Sequence, residues 1–489
     1  MGVDGLLSFV GSSLSDAHIS RFRGSVVAVD ASCWLHRGAH ACADDIALGR
    51  SLDHERFLGF ALRMIRLLQS HGVTPLCVFD GGKAPMKEAT SADHHDRRAA
   101  ELDRGRSLLE DGRTADASIA FGRAVTVTPL MARRLIGHLR RMRLPYVVAP
   151  FEADAQMAFL VQRGHCAAAI TEDSDLLVYQ CPATLFKLDA TGHGRLALFE
   201  NLQFADSGLG GQYLFDGAGQ DAWAHWQRGR LVDMVILAGC DYVPGLPGVG
   251  LKTAHALLRT HRTLDACLRA QLTGVDRAEI DELVAQAQRV HDTFTSSWCY
   301  DPSSRSVVMM HTHSRHASHE PAMRHLGPAM DAALADAICI WASVDPITLE
   351  DAHDLVGLPS PVPLPPAAAP LRTDGGAPVD GALYSTAVEG ADDLGRGRVS
   401  HQRDGARGAN LMHTVVHVPN VATATAARAE SALKSRDASS RSASRRLLLS
   451  QLAAGAPGGS GGVRVSPAPV TSDRFLDKFR TRRNDASCT

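Results

Sequence analysis

Four short apolar runs in the first 180 residues have the pattern of buried β-strands. Each run is continuous rather than alternating and is rich in small or β-branched side chains, as expected for strands covered on both faces. The runs are SVVAVD (25–30), PLCVFD (75–80), YVVAP (146–150) and AAAIT (167–171). Helical segments separate them; residues 55–72, for example, are apolar at helical spacing and end at Gly72. This alternation predicts an α/β fold with a mostly parallel sheet flanked by helices, and a helical region follows from about 229 to 355.

The character of the sequence changes at about residue 357. The next stretch is rich in Pro and Ala, and the remainder is mostly Ser, Ala, Gly and Arg with few aromatic residues. Such a composition buries too little apolar surface to offset chain entropy, so residues 356–489 are predicted to form a disordered C-terminal tail. Two short islands, 444–455 and 472–483, could fold on a partner, although islands of this kind are usually incidental.

The net charge of −2 hides an uneven distribution. Residues 358–489 carry 17 Lys and Arg against 11 Asp and Glu, a net charge of +6. Residues 1–357 carry 34 against 42, a net charge of −8. A body this acidic would bind DNA only through local basic patches, with cations to offset clustered carboxylates.

Other features exclude several classes of protein. Ten cysteines without a CxxC pair indicate reduced thiols in an intracellular protein rather than a disulfide framework or a zinc site. No apolar stretch approaches the ~20 residues of a membrane span, and the N-terminus lacks the basic segment of a signal peptide. Gly2 would suit myristoylation, but Leu6 stands where Ser or Thr is required. We therefore expect no membrane association.

Acidic residues stand where the predicted strands end. They are Asp30, Asp80, Glu152, Asp154, Asp173, Asp175 and, after the apolar run LVDMVILAGC, Asp241. The carboxyl ends of the strands form one edge of such a sheet, where this many charges would require cations. Carboxylate oxygens suit Mg²⁺ or Mn²⁺, and two such ions about 3.5–4 Å apart commonly cleave phosphodiesters. Any single acid here is better explained as a helix cap, but the set of seven predicts a metal site.

Two further stretches carry candidate chemistry. Gly248 and Gly250 flank Val249 and lead through Lys252 into a helix, an arrangement that lets backbone N–H groups approach a phosphate. Gly-x-Gly alone is usually a turn, but after an acidic cluster it indicates a clamp on a duplex backbone. The segment 83–100 is polar and basic, and it is either an exposed charged helix or a surface that faces a scissile phosphate. Its candidate residues are Lys87, His94, His95, Arg97 and Arg98.

Taken together, these motifs resemble the flap endonuclease and xeroderma G nuclease superfamily of structure-specific 5′ nucleases. The matching stretches, in order, are MGVDGLLSF, VVAVDASCWLHRGAHACA, VFDGGKAPMK, APFEADAQMAFL, TEDSDLL and LAGCDYVPGLPGVGLKTA. Residues 33–43 and 299–355 resemble the exonuclease 1 branch more than the flap endonucleases. The resemblance covers about residues 1–355.

The resemblance implies a fold and a division of the chain. The fold would be a PIN-like α/β nuclease with a helix–two-turn–helix DNA-binding element. Residues 1–100 would form the N-terminal nuclease region, 101–137 a helical arch or cap, and 138–228 the internal nuclease region. Residues 229–355 would contain the helix–two-turn–helix and the C-terminal helical part of the core, and the tail would occupy 356–489.

The resemblance also implies roles for single residues. The seven acids would hold two Mg²⁺ ions, with Mn²⁺ as a substitute, and Lys87 would be the catalytic lysine. Gly2 would lie near the metals, and His36 would stack on the terminal base. Gly248 and Gly250 would form the turn where family members hold K⁺ against a DNA phosphate.

Two positions depart from the family pattern. The family arginine that contacts the scissile phosphate is His94 here, and the family glutamate three residues earlier is Ser91. Neutral His is a poorer phosphate clamp than Arg. Arg97 and Arg98 lie one helical turn further on and are expected to substitute, giving an active enzyme.

The resemblance predicts a nuclear, Mg²⁺-dependent 5′→3′ double-stranded DNA exonuclease with 5′-flap endonuclease activity. Its substrate would be duplex DNA with a 5′ end, nick or flap, in mismatch repair, end resection and recombination. A monomer is expected, with mismatch-repair proteins as candidate partners of the tail. One alternative is a flap endonuclease of replication and repair, which usually carries a C-terminal sliding-clamp motif that only DRFLDKF faintly resembles. The other is a weakly active DNA-binding scaffold.

Overall fold

The structure, a computed structural model, describes residues 2–50, 55–206, 213–215, 223–272, 275–311 and 324–367. Strands in the described residues form a seven-stranded sheet and a separate hairpin. The sheet has the order β1-β7-β6-β5-β2-β3-β4, and β8 pairs with β9. The strands are β1 (Ser15–His18), β2 (Val26–Asp30), β3 (Thr74–Phe79), β4 (Tyr146–Val148), β5 (Ala169–Thr171), β6 (Ala183–Phe186), β7 (His193–Leu198), β8 (Trp298–Asp301) and β9 (Ser306–Met309).

Helices flank this sheet in the part of the chain that the structure describes. They are α1 (Leu6–Phe9), α2 (Ala31–His40), α3 (Ala43–Ala47), α4 (Gly59–Ser70), α5 (Glu88–Glu110), α6 (Thr114–Ala124), α7 (Pro129–Arg141), α8 (Ala153–Gln162), α9 (Asp175–Val178), α10 (Trp223–His225), α11 (Leu231–Ala238), α12 (Leu251–His261), α13 (Leu264–Gln271), α14 (Arg277–Ser296) and α15 (Ala332–Ala335). Two π-helical turns, Trp226–Arg230 and Asp336–Ile340, extend α10 and α15.

The predicted fold class is confirmed. The four predicted strands are β2, β3, β4 and β5, and they are parallel neighbours in the sheet. α4 buries one stripe, Ala61, Met64, Ile65 and Leu68, at the spacing that its sequence predicts. Strands β1, β6 and β7 were not predicted from the sequence. β6 runs parallel to β5, β7 runs antiparallel to β6, and β1 runs antiparallel to β7, so the sheet is mixed at this edge.

A buried glutamine anchors α8 to the β8–β9 hairpin. The Gln156 side-chain amide donates to the Tyr300 carbonyl at 2.9 Å, and the Tyr300 backbone N–H donates to the Gln156 amide oxygen at 2.7 Å. The Tyr300 hydroxyl in turn donates to Asp336 at 2.8 Å. Because α8 follows directly after Glu152, this anchor fixes the direction in which the start of the helix points.

The end of the core is held by an ion-pair network. Arg133 on α7 pairs with Asp345 at 2.8 Å and with Asp354 at 2.6 Å. Contacts with the core continue past the predicted boundary at 355, since His165 Nδ1 donates to the Pro365 carbonyl at 2.8 Å and Leu364 packs on the core. The rest of the predicted tail, from residue 368, lies outside the described residues.

These contacts predict different outcomes for two truncations. A chain ending at residue 367 should keep the urea-denaturation midpoint of the full protein. A chain ending at 357 should lose about 1–3 kcal/mol of unfolding free energy, because it loses the packing of Leu364 and the His165 hydrogen bond. Urea denaturation of both truncations and the full chain measures the difference. Equal midpoints for the two truncations would show that residues 358–367 do not stabilise the core.

Among the described residues, no helix is both long and apolar enough to cross a membrane.

Candidate active site

Six of the seven predicted acids lie at one edge of the sheet because they follow parallel strands, and Asp241 reaches the same place from the end of a helix. Asp30 ends β2, and Asp80 follows β3 by one residue. Glu152 is the residue before α8, in the loop after β4, and Asp154 lies in the first turn of that helix. The remaining acids are Asp173 and Asp175 after β5 and Asp241 after α11. The fold therefore gathers residues from five separate stretches of sequence.

Threonine 171 links two of these acids. Its hydroxyl donates to Asp30 at 2.8 Å and accepts from the Asp173 backbone N–H at 3.0 Å. Asp173 itself accepts from the Asp175 backbone N–H at 2.9 Å. The strand end and the turn after it therefore hold three carboxylates in fixed relation. Thr171 was not predicted as a site residue. Its position between a buried strand and an acidic turn was the sequence signal that could have indicated this role.

The N-terminal segment packs directly against the same turn. The Val3 backbone N–H donates to Asp175 at 3.0 Å. Gly2 has a φ of 73°, and a Cβ there would lie 2.1 Å from an oxygen of Asp173 and 2.6 Å from one of Asp175. Glycine is therefore required by both conformation and space, and Gly2 lies beside the predicted metal position.

Lysine 87 supplies a positive charge on the other side of the cluster. Its ammonium lies 2.7 Å from Glu152 and 3.4 Å from Asp241. Asp80 accepts from the Ala153 backbone N–H at 3.0 Å, which holds this acid beside the start of α8. The Lys87 pKa is raised well above its usual value: burial acts to lower it, but Glu152 and Asp241 together raise it further. The ammonium stays charged at any physiological pH.

The carboxylates repel one another, and Asp30, Asp173 and Asp175 are buried, whereas Asp80 is exposed. The pKa of Asp30 is raised to about 7, mainly by burial and next by the charge of Asp80. The pKa of Asp175 is raised to about 8, mainly by burial and next by the charges of Asp173 and Asp241. Burial is also the largest cause of the raised pKa values of Glu152, Asp154 and Asp173. One lysine does not offset this charge, so the cluster favours additional cations.

The donor set fits hard divalent cations. In the described part of the chain, no three His, Cys, Asp or Glu side chains already have the spacing of metal ligands. The carboxylate oxygens accept from backbone N–H groups and from Lys87. Several buried carboxylates of raised pKa, with no sulfur or imidazole donor among them, fit Mg²⁺ or Mn²⁺ rather than Zn²⁺.

The raised pKa values predict how stability depends on pH. A carboxyl whose pKa is higher in the folded than in the unfolded protein contributes stability that is lost as pH rises toward the folded pKa. The unfolding free energy of metal-free protein should therefore fall between pH 6.5 and 8, from Asp30 and Asp175 together with Asp233, a carboxyl outside the site whose pKa burial also raises to about 7. The lowered pKa values of His36 and His255 act in the opposite direction, but mainly below about pH 6.5.

Urea denaturation in EDTA at pH 6.5 and 8 measures this fall, and saturating Mg²⁺ should reduce it. A flat or rising profile in EDTA would contradict the assigned repulsion.

Three residues predicted to contact the DNA, Arg97, Arg98 and His36, lie on α5 and α2. Arg97 and Arg98 are exposed on α5, and Arg98 Nη1 lies 3.5 Å from the Thr126 hydroxyl. His36 is exposed on α2, and its pKa is lowered by partial burial and then by His40 and Arg98. Arg98 is therefore close enough to His36 to act on it electrostatically. The side chains of His94 and Ser91, also on α5, lie outside the described residues.

The predicted phosphate clamp lies between α11 and α12. Gly248 has a φ of 78°, which favours glycine, and Gly250 is the N-cap residue of α12. No atom lies within 4 Å of a Cβ built at either glycine. Lys252 is exposed in the first turn of α12. The turn thus leaves both glycines and Lys252 exposed to solvent, while the Val249 N–H donates to the Leu246 carbonyl at 3.0 Å.

Comparison with known proteins bears on this arrangement. The XPG N-terminal domain matches residues 1–101, and the XPG I-region matches residues 143–241. The chain belongs to the XPG family of nucleases. All seven acids and Lys87 lie within the two matched XPG regions, and the resemblance that the motifs predicted is confirmed.

Individual relatives point to one branch of the XPG family. Exonuclease 1 of Danio rerio is 34% identical over 320 residues, which cover 65% of this chain and 38% of that protein. Exonuclease 1 of Xenopus laevis is 32% identical over 340 residues, covering 68% of this chain and 44% of that protein. The chain thus spans less than half the length of these relatives. Among solved structures, the catalytic core of Rad2 in complex with DNA substrate has a TM-score of 0.41 and 21% identity, covering 60% of this chain and 85% of that one.

Proposed function

We propose that this chain is a nuclear, metal-dependent 5′→3′ double-stranded DNA exonuclease that also cleaves 5′ flaps. The observation that carries the proposal is the gathering of seven carboxylates and Lys87 at one sheet edge. The exposed glycine turn before α12 is proposed as part of a helix–two-turn–helix. The Lys87 ammonium contacts both Glu152, just before α8, and Asp241, after α11, and so connects these two parts of the site. Mismatch repair, end resection and recombination are the proposed settings, with partners bound by the tail.

The proposed metal ligands are the seven acids of the site. Asp30, Asp80, Glu152, Asp154, Asp173, Asp175 and Asp241 would hold two Mg²⁺ ions, with Mn²⁺ as a substitute. Such ions, when bound, activate water and stabilise the charge on the scissile phosphate. Gly2 leaves room for Asp173 and Asp175 to turn their oxygens toward that position.

Other residues of the chain would bind and orient the DNA. Lys87 would leave its carboxylate partners in part and neutralise the phosphate during cleavage. Arg97 and Arg98 would contact the scissile phosphate in place of His94, and His36 would stack on the terminal base. Gly248, Gly250 and Lys252 would grip the duplex backbone, with K⁺ proposed at this turn.

A single assay tests this function. The purified protein is incubated with a nicked duplex and a 5′-flap duplex, labelled at the 5′ end, with Mg²⁺ or with EDTA. Release of 5′-phosphorylated nucleotides from the nicked duplex in Mg²⁺, and none in EDTA, is the expected result. A blocked 5′ end separates the two activities, because only flap cleavage should survive it. Cleavage in EDTA, or binding without cleavage in Mg²⁺, would contradict the proposal and favour a DNA-binding scaffold.

A further inference from the structure

A buried aromatic cluster lies next to the Lys87 ammonium. Lys87 Nζ lies 5.3 Å from the centroid of the Tyr242 ring. The Tyr242 and Tyr179 hydroxyls are 2.7 Å apart, so one donates to the other. Phe294 packs against both rings, with centroid distances of 5.0 Å to Tyr179 and 5.1 Å to Tyr242. Tyr179 is 1% and Tyr242 is 5% exposed, so neither ring has freedom to move.

Each tyrosine is joined to an element that carries proposed metal ligands. Tyr242 directly follows Asp241, so one short turn supplies a carboxylate and an aromatic face. Tyr179 is the C-cap residue of α9, the helix that begins at Asp175. The hydroxyl pair therefore connects the turn after β5 with the turn after α11. A small movement of either turn would be transmitted to the ring beside Lys87.

The contacts of Lys87 differ in what they do once the site is loaded. Glu152 and Asp241 are proposed metal ligands, so their oxygens would be shared with cations during cleavage. The ring face of Tyr242 is negative by its quadrupole and attracts an ammonium, yet it is no ligand for Mg²⁺. Its contact with Lys87 therefore persists when the carboxylates are engaged.

We propose that Tyr242 is a positioning residue, whose ring holds the Lys87 ammonium in place for the scissile phosphate, and that Tyr179 fixes that ring through the hydroxyl pair. The inference rests on the proposed nuclease function. It goes beyond that function because it assigns the position of the Lys87 ammonium to two aromatic residues that are not proposed to bind metal or DNA.

The substitutions at Tyr242 separate ring from hydroxyl. Tyr242→Leu removes the aromatic face and should lower the single-turnover cleavage rate by about 10- to 100-fold, without changing the dissociation constant for nicked DNA. Tyr242→Phe keeps the face and should retain the rate within about threefold. Tyr179→Phe keeps the Tyr242 ring but removes the hydroxyl that is hydrogen-bonded to the Tyr242 hydroxyl. The cleavage rate should then fall by an intermediate amount, about three- to tenfold.

A double-mutant cycle identifies the residue through which Tyr242 acts. If the ring works through Lys87, Tyr242→Leu should cost nothing further in a Lys87→Ala background. Tyr146→Leu is the matched control, because Tyr146 is also buried and has a cation, the Arg140 guanidinium, 5.8 Å from its ring centroid. This control should lower the thermal midpoint, and its loss of rate should remain in the Lys87→Ala background.

Different outcomes would overturn the proposed nuclease function and the positioning role of Tyr242. A wild-type protein that cleaves neither nicked nor flap DNA in Mg²⁺ would overturn the proposed function. A wild-type protein that cleaves, with additive losses from Tyr242→Leu and Lys87→Ala, would overturn the positioning role. If Tyr242→Leu does not fold, Tyr242→Met fills more of the space without an aromatic face, and the same absence of additivity is expected.

Discussion

Replacing Asp175 by Asn should reduce single-turnover DNA cleavage by about 1,000-fold or more while making the metal-free protein more stable. The activity should fall because a neutral amide is a weak ligand for Mg²⁺ and the proposed site loses one negative charge. The fold should survive because the amide oxygen can still accept the hydrogen bond from the Val3 backbone N–H.

The gain in stability follows from the electrostatics of the cluster. Asp175 is buried and faces Asp173 and Asp241, and its pKa is raised to about 8. At pH 8 the wild-type carboxyl is about half ionised against these neighbours, whereas Asn carries no charge. In EDTA the thermal midpoint of Asp175→Asn should therefore exceed that of wild type, by about 3–5 °C. Mg²⁺ should raise the midpoint of wild type more than that of the variant.

A matched control distinguishes this effect from a general response to losing a carboxylate. Asp276 is exposed at the N-terminus of α14, and its side chain makes no cap hydrogen bond. Asp276→Asn should change neither cleavage nor the effect of Mg²⁺ on the midpoint. Cleavage by Asp175→Asn within about tenfold of wild type would contradict its assignment as a ligand, and a lowered midpoint in EDTA would contradict the repulsion.

Arg98→Ala should lower single-turnover cleavage by about 30- to 100-fold, whereas His94→Ala should be nearly silent. Arg98 is exposed, lies within hydrogen-bonding distance of Thr126 and acts electrostatically on His36, the residue proposed to stack on the terminal base. Its guanidinium is charged at every working pH and can bind phosphate oxygens in pairs. Removing one such donor typically costs about 10²- to 10³-fold in other enzymes, and Arg97 is expected to compensate in part.

The pH profile provides an independent measurement. If an arginine contacts the phosphate, cleavage should keep rising above neutrality, since no imidazole has to be protonated. Arg106→Ala is the control on the same helix, because Arg106 is exposed and pairs with Asp103 at 3.4 Å. A large loss in His94→Ala alone, together with a rate that falls above about pH 7, would assign the contact to the histidine instead.

Local sequence patterns determined the framework of this protein. The four continuous apolar runs became parallel strands because strands buried on both faces need no alternation of polar residues. Since parallel strands end at one edge, the sequence alone places the acid after each run near the others. The glycines 248 and 250 likewise marked a turn before a helix, because their conformations and open surroundings depend on neighbours in sequence.

The antiparallel edge of the sheet was decided by tertiary structure. β7 pairs with both β6 and β1, and Ser15 in β1 lies opposite Leu196 in β7. β1 is polar and half-exposed and consists of four residues, SDAH, so it carries no periodic signal of its own. Edge strands need only one partner, and that partner is chosen by packing across a long stretch of chain.

The charge balance of the site was also beyond sequence reasoning. Lys87 meets Glu152 and Asp241 across 65 and 154 positions, and Tyr179 meets Tyr242 across 63. Sequence spacing predicts contacts within a helix or between adjacent strands, because these repeat with a fixed period. Contacts between loops depend on how helices and sheet pack, so the sequence alone determined which acids gather and the tertiary structure decided what holds the lysine among them.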